Sequence, residues 1–157
     1  MRPPASSAQV SERMQKQKSF DTDLELRLRR QLYHRGLRYR VHSQVIPGTR
    51  RKADLAFLTA KVAVFVDGCF WHGCPEHGSV PASNRKWWEA KLRENRLRDM
   101  DTDRRLTEAG WHVVRVWEHD DLERAAEKIE KIVRDRTPRR RVKPHGPIDS
   151  SLIHGTY

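Results

Sequence analysis

The stretch ADLAFLTAKVAVFVD, residues 53–67, decides the fold. Two short apolar runs, 53–58 and 62–66, flank Thr59-Ala60-Lys61, and both are apolar on either face, as buried neighbouring strands are. They read as a hairpin. A two-residue turn at Ala60-Lys61 sets Asp54 directly opposite Asp67.

Upstream, residues 21–35 predict an amphipathic helix. Thr22 and Glu25 fit a capping box, Leu24, Leu28 and Leu32 recur at helical spacing, and Gly36 stops the pattern. Residues 37–43 then alternate apolar and basic until Pro47-Gly48 breaks the chain, which predicts an edge strand and a turn. Downstream, residues 68–84 carry Gly68, Gly73, Pro75, Gly78 and Pro81 together with both cysteines. Such a loop has too little apolar content to hold itself. A helix is expected over 85–109, closed by Gly110, then a buried strand over 111–117 and a helix over 120–136 capped by Asp120 or Asp121. The order α, β, β, β, α, β, α belongs to an α/β chain.

At 157 residues the chain has room for one core, expected over 21–136. Residues 1–20 read as a polar, basic arm ordered only by a partner, and 137–157 as a basic tail without structure of its own. With 32 Lys+Arg against 21 Asp+Glu, the net charge is +11. Nucleic acid therefore leads the candidate partners. Mean hydropathy is −0.88, and no apolar run approaches the roughly 20 residues of a membrane-spanning helix. The first ten residues lack a signal-peptide pattern, so a reducing cytoplasm is expected, where the two cysteines serve as thiols or metal ligands.

Two aspartates facing each other across a hairpin repel, and a cation between them relieves the repulsion. A hard divalent ion such as Mg²⁺ suits oxygen ligands and keeps waters for a phosphate substrate. The bland alternative is two strand-end carboxylates in solvent. Glu25 shares the inward helix face with Leu28 and Leu32, although a capping box and an ion pair with Arg29, both ordinary, are by themselves the favoured explanation. His72, five residues past Asp67, has the chemistry to hold a water or shuttle a proton.

Cys69-x4-Cys74-x2-His77 supplies three of the four ligands of a structural zinc site. The fourth must come from elsewhere: His119 is favoured, with His72 and His112 as alternatives. A closed site would stabilise a loop that cannot bury itself. Phe70 and Trp71 within that loop are suited either to wedging base steps apart or to packing as a small core beneath the metal. On the long helix Lys91, Asn95 and Arg98 share a face that fits phosphate and base-edge contacts, with Asp99 beside it, or else a solvated surface.

Across FVDGCFWHGCPEHG, residues 65–78, the chain resembles the very short patch repair endonucleases, which nick DNA beside a T:G mispair. The likeness extends to Asp21-Thr22-Asp23-Leu24-Glu25, to Asp54, to Trp88, Lys91, Asn95, Arg98 and Asp99, and to GWHVVRVWEH at 110–119. It covers about residues 12–122. The resemblance implies a restriction-endonuclease-like fold of the PD-(D/E)xK type, a mixed sheet flanked by helices, with a magnesium-dependent active site. Asp54 and the backbone carbonyl of Val66 would be direct Mg²⁺ ligands, and Glu25 and His72 would hold its waters. Met14, Phe70 and Trp71 match the side chains pushed into the duplex. Cys69, Cys74, His77 and His119 match the structural zinc positions. Some members carry histidine where this chain has Asp67, which leaves Asp67 either a direct metal ligand or a water ligand.

The expectation is then a monomeric Mg²⁺-dependent endonuclease for T:G-mismatched duplex DNA in a bacterial cytoplasm, on the nucleoid when active and working with mismatch-repair accessory proteins. Two alternatives stand beside it: a restriction or defence nickase indifferent to mismatches, and a zinc-stabilised DNA-binding module without catalysis.

Overall fold

The computed structural model describes residues 22–138. The elements are α1 (Asp23–His34), β1 (Arg40–Ser43), β2 (Ala53–Phe57), β3 (Val62–Asp67), α2 (Arg85–Glu108), β4 (His112–Trp117) and α3 (Leu122–Arg136). Their kind and order follow the sequence pattern. The expected arm, with Met14, and most of the expected tail lie outside the described residues. No helix among those described is long and apolar enough to cross a membrane.

The four strands form one mixed sheet in the order β1-β2-β3-β4. The first three pair antiparallel, and β4 joins β3 in parallel after the α2 crossover. Alternation along the strands sends side chains to two cores. On one face Leu55, Phe57, Val62, Val64, Val114 and Val116 pack against Leu28 and Leu32 of α1 and Ala126, Ile129 and Val133 of α3. On the other, Ala53, Ala63 and Phe65 pack against Ile46 and Leu106 of α2. Helices thus cover both faces of the central strands, which is why those strands carry no polar alternation.

The hairpin register differs from the expectation. Leu55 pairs with Val64, Ala56 with Ala63 and Phe57 with Val62. The connection is a four-residue turn over 58–61, closed by the Lys61 amide donating to the Leu58 carbonyl at 3.3 Å with Lys61 at φ +50°. Asp54 therefore does not face Asp67. It lies by Val66, whose amide donates to Asp54 Oδ2 at 2.7 Å. The apolar pattern fixes which residues form strands, but it does not count turn residues, and Lys61 gives no local sign of a left-handed conformation.

Register also explains the loop after β3. In the parallel ladder Asp67 lies beside Trp117, so the chain segments that follow leave the sheet side by side. One begins with Gly68 and Cys69, the other with Glu118 and His119. The two exits are tied by Glu118, whose amide donates to the Asp67 carbonyl at 3.0 Å and whose carboxylate accepts the Cys69 amide at 3.3 Å.

Candidate functional site

The first helix delivers a carboxylate to the sheet. Thr22 caps α1 by accepting the Glu25 amide at 3.2 Å. Glu25, Leu28 and Leu32 form its buried face, and Glu25 is only 4% exposed. Arg29, one turn on, donates to Glu25 Oε2 at 3.2 Å and lies equally close to His42 Nε2. A guanidinium only donates, so in this contact the His42 nitrogen is the acceptor. His42 sits in β1 at φ +46°, a left-handed conformation uncommon for a residue with a Cβ.

One ligand atom from each of Glu25, His42 and Asp54 falls within 4.8 Å of the others. Burial raises the Asp54 carboxyl to about 6, opposed by the Val66 hydrogen bond and reinforced by the charges of Glu25 and Asp67. Two carboxylates and an imidazole crowded at this depth form a donor set for a divalent cation, which would relieve the repulsion that they now share. The oxygen-rich set fits Mg²⁺ or a similar hard ion.

Asp67 belongs to a different group. It is 3% exposed, and its Oδ2 accepts from Arg115 of β4 at 2.7 Å. Its Oδ1 lies 3.6 Å from His72 Nδ1, and the same nitrogen is 2.6 Å from Asp99 Oδ2 on α2. Burial disfavours a charged His72, yet the bond to Asp99 and the charges of Asp67 and Asp99 outweigh it and raise the imidazole pKa above its ordinary value. Asp67 is also raised, by burial, despite Arg115. The expectation of Asp67 as a metal ligand facing Asp54 thus meets an Asp67 engaged with Arg115 and His72. The wrong turn length accounts for the difference.

The loop after β3 holds Cys69, Cys74, His77 and His119, whose ligand atoms all lie within 4.8 Å of one another. Cys69 Sγ is 3.2 Å from His119 Nδ1, and Cys74 Sγ is 3.6 Å from His119 Nδ1 and 3.9 Å from His77 Nδ1. Tetrahedral zinc with ordinary Zn–S and Zn–N bonds separates sulfur from nitrogen by about 3.6 Å, so these four residues fit the ion. Burial pushes the Cys69 thiol up. Burial acts on Cys74 in the same sense, but the amides of His77 and Glu76 overcome it and bring that thiol below its ordinary value. Of the three histidines considered for the fourth position, His119 is in the cluster. His72 is engaged with Asp99, and His112 pairs with Val62 at the opposite end of β4.

Gly78 closes the loop by donating to the Cys74 carbonyl at 2.8 Å, and a Cβ there would collide with that same oxygen. The aromatic residues pack edge to face: Phe70 with Trp71 at 5.1 Å between centroids, and Phe70 with Trp88 of α2 at 5.3 Å. Both loop rings remain half-buried. Asn95 is buried and donates to the Trp71 carbonyl at 3.1 Å, so it secures the loop from beneath and offers no free edge to a base. Lys91, paired with Glu94 at 3.0 Å, and Arg98 stay on the outer surface.

Sequence reasoning overlooked His42, Arg115 and Asp103. A cation in the middle of an otherwise apolar strand, Arg115 among valines, was a signal that deserved a partner. His42 carried none beyond its place in a basic, alternating strand.

Residues 5–76 match the family model described as DNA mismatch endonuclease Vsr. The type II nicking enzyme V.NaeI of Lentzea aerocolonigenes is 43% identical over 129 residues, covering 81% of this chain and 78% of the relative. The type II nicking enzyme V.NmeDIP of Neisseria meningitidis serogroup C is 42% identical over 128 residues, 78% of this chain and 84% of the relative. The DNA mismatch endonuclease Vsr of Escherichia coli is 36% identical over 102 residues, 62% of each chain.

Proposed function

The chain belongs to the Vsr family of DNA endonucleases, and from that premise we propose that it nicks duplex DNA beside a T:G mispair, using a divalent cation held at Asp54. The observation that carries the proposal is the convergence of Glu25, His42 and Asp54 within 4.8 Å, beside the Val66 backbone. Asp54 and the Val66 carbonyl would hold Mg²⁺ directly, with Glu25 on its water ligands. When bound, such an ion stabilises charge developing on the phosphate and makes water a better nucleophile. Asp54 comes to that role already at its position, because the Val66 amide fixes one of its oxygens. His72 exchanges protons at Nε2 while its Nδ1–H stays on Asp99, an arrangement that sets the tautomer. Asp67 is paired with Arg115 beside His72 and leaves the cation to Asp54.

Zinc held by Cys69, Cys74, His77 and His119 would stiffen the loop bearing Phe70, Trp71 and His72. Half-buried rings on a stiff loop suit a wedge, and a mispair costs less to unstack than a matched pair. Met14 would join them from the arm. The sheet and its helices suit the restriction-endonuclease-like fold, and a monomer acting in the cytoplasm completes the proposal.

A second reading, nicking without mismatch preference, is favoured by the names of V.NaeI and V.NmeDIP, which speak of nicking alone. One experiment separates the readings: nicking of matched and T:G duplexes of identical sequence, with Mg²⁺ or with chelator, for the natural protein and Asp54→Ala. Mismatch-selective nicking that needs both Mg²⁺ and Asp54 supports the first. Equal cutting of both duplexes overturns mismatch selectivity, and nicking that survives Asp54→Ala overturns the site.

A further inference from the structure

Arg115 is absorbed by neither metal group. It projects from β4 toward α2, and its side chain is 19% exposed. Its Nη1 donates to Asp67 Oδ2 at 2.7 Å, and its Nη2 donates to Asp103 Oδ1 at 2.7 Å. Nε reaches both Asp103 oxygens, at 3.2 and 3.1 Å, and Nη2 lies 3.8 Å from Asp99 Oδ1. The guanidinium also sits over the Phe65 ring, 4.8 Å from its centroid.

The carboxylate oxygens are divided between Arg115 and His72. Asp67 turns Oδ2 to Arg115 and Oδ1 to His72; Asp99 turns Oδ1 to Arg115 and Oδ2 to His72. One guanidinium therefore meets both acids that flank the imidazole: it hydrogen-bonds Asp67 through its other oxygen, and it holds Asp99 by a 3.4 Å bond to its backbone carbonyl and a 3.8 Å ion pair to Oδ1. Asp103, anchored on α2, orients that guanidinium in turn. A buried carboxylate deprived of its cation takes whatever donor is in reach. For Asp67 that donor is His72 Nδ1, now 3.6 Å away and committed to Asp99.

We propose that Arg115 is a positioning residue for His72: it holds Asp67 off the imidazole and braces Asp99, so that Nδ1 bonds to Asp99 alone and the ring keeps a single orientation. Lysine, with a point charge instead of a planar fork, cannot bridge three carboxylates in this way. The proposal rests on His72 acting in the nicking reaction, but Arg115's hold on the ring is measurable without that reaction.

Ring N–H resonances of the ¹⁵N-labelled, zinc-loaded protein, free of DNA and Mg²⁺, read the hold directly, with His72→Asn identifying the His72 signal. Arg115→Met is expected to shift or abolish the hydrogen-bonded Nδ1–H signal. Under Mg²⁺ and with DNA substrate, kcat should fall by about tenfold or more while KM stays within about twofold, because a ring displaced from its working geometry loses rate and not binding. Asp103→Asn, at a more exposed anchor, gives a smaller shift and about a threefold loss of kcat, and it decides the matter if Arg115→Met does not fold. An unchanged His72 signal in the folded variants, or a raised KM with kcat intact, overturns the proposal. Failure of the natural protein to nick would instead overturn the nuclease site, leaving the resonance test to judge Arg115 on its own.

Discussion

Replacing Asp54 with asparagine should make the metal-free protein more stable while ending its activity. The Asp54 carboxyl is raised from 3.8 to about 6 in the folded chain. A carboxyl raised on folding binds its proton more tightly in the native state, so the penalty is absent well below pH 3.8, grows as pH rises through about 6, and levels off about one unit above that. Integrated over that interval, the cost is about 3 kcal/mol at pH 8 and about 1.6 kcal/mol at pH 5. Asparagine keeps an oxygen for the Val66 amide and carries no charge, so Asp54→Asn should recover most of that cost. For a domain of this size the recovery corresponds to a melting temperature higher by roughly 10 °C at pH 8, shrinking to about half at pH 5. The assay is thermal unfolding of both proteins in chelator at the two pH values. It is then repeated with Mg²⁺, which should raise the melting temperature of the natural protein and leave the variant unchanged. A variant that melts below the natural protein at pH 8, or a gap that does not narrow at pH 5, would refute the claim that burial and carboxylate repulsion strain this site.

Three further outcomes are expected. Purified protein should contain roughly one equivalent of zinc per chain, and Cys74→Ser should lose it along with several degrees of melting temperature, read by metal analysis and calorimetry. Gly78→Ala, which puts a methyl group against the Cys74 carbonyl, should reproduce that loss of zinc with all four ligands intact; full zinc occupancy in the variant would show that the loop adapts. Leu106→Ala empties a fully buried position between α2 and the sheet and should cost about 3 kcal/mol, read from the urea midpoint at unchanged slope.

The elements were legible because each carries its own local signal: the leucine spacing of α1, the valine-rich runs of β2 and β3, and the glycines that end α1 and α2. The Cys/His cluster was legible for the same reason, since three of its four residues fall within nine consecutive residues, 69–77. His119 followed from supposing that two strand ends share a rim, and the parallel pairing of Asp67 with Trp117 puts them there. What could not be read was long-range and two-sided. Nothing near Asp67 says that its cation lies 48 residues away on β4, and the hydrophobic pattern of a hairpin is indifferent to a turn two residues longer. Asn95 shows the other limit: helical spacing placed it on one face with Lys91, but only the packed loop reveals that this position points at the Trp71 carbonyl.

The groups gathered around the sheet rim come from α1, β1, β2, the loop after β3, α2 and β4. A nascent chain therefore lacks the Arg115 cation against which Asp67 is buried until β4 has left the ribosome and docked. Any product of a message broken before Arg115 keeps Asp67 buried without its cation, or unfolded and open to proteolysis. Dispersed along nearly the whole domain, these groups come together only once the sheet is complete, so the rim exists in the folded domain and in no shorter piece of it.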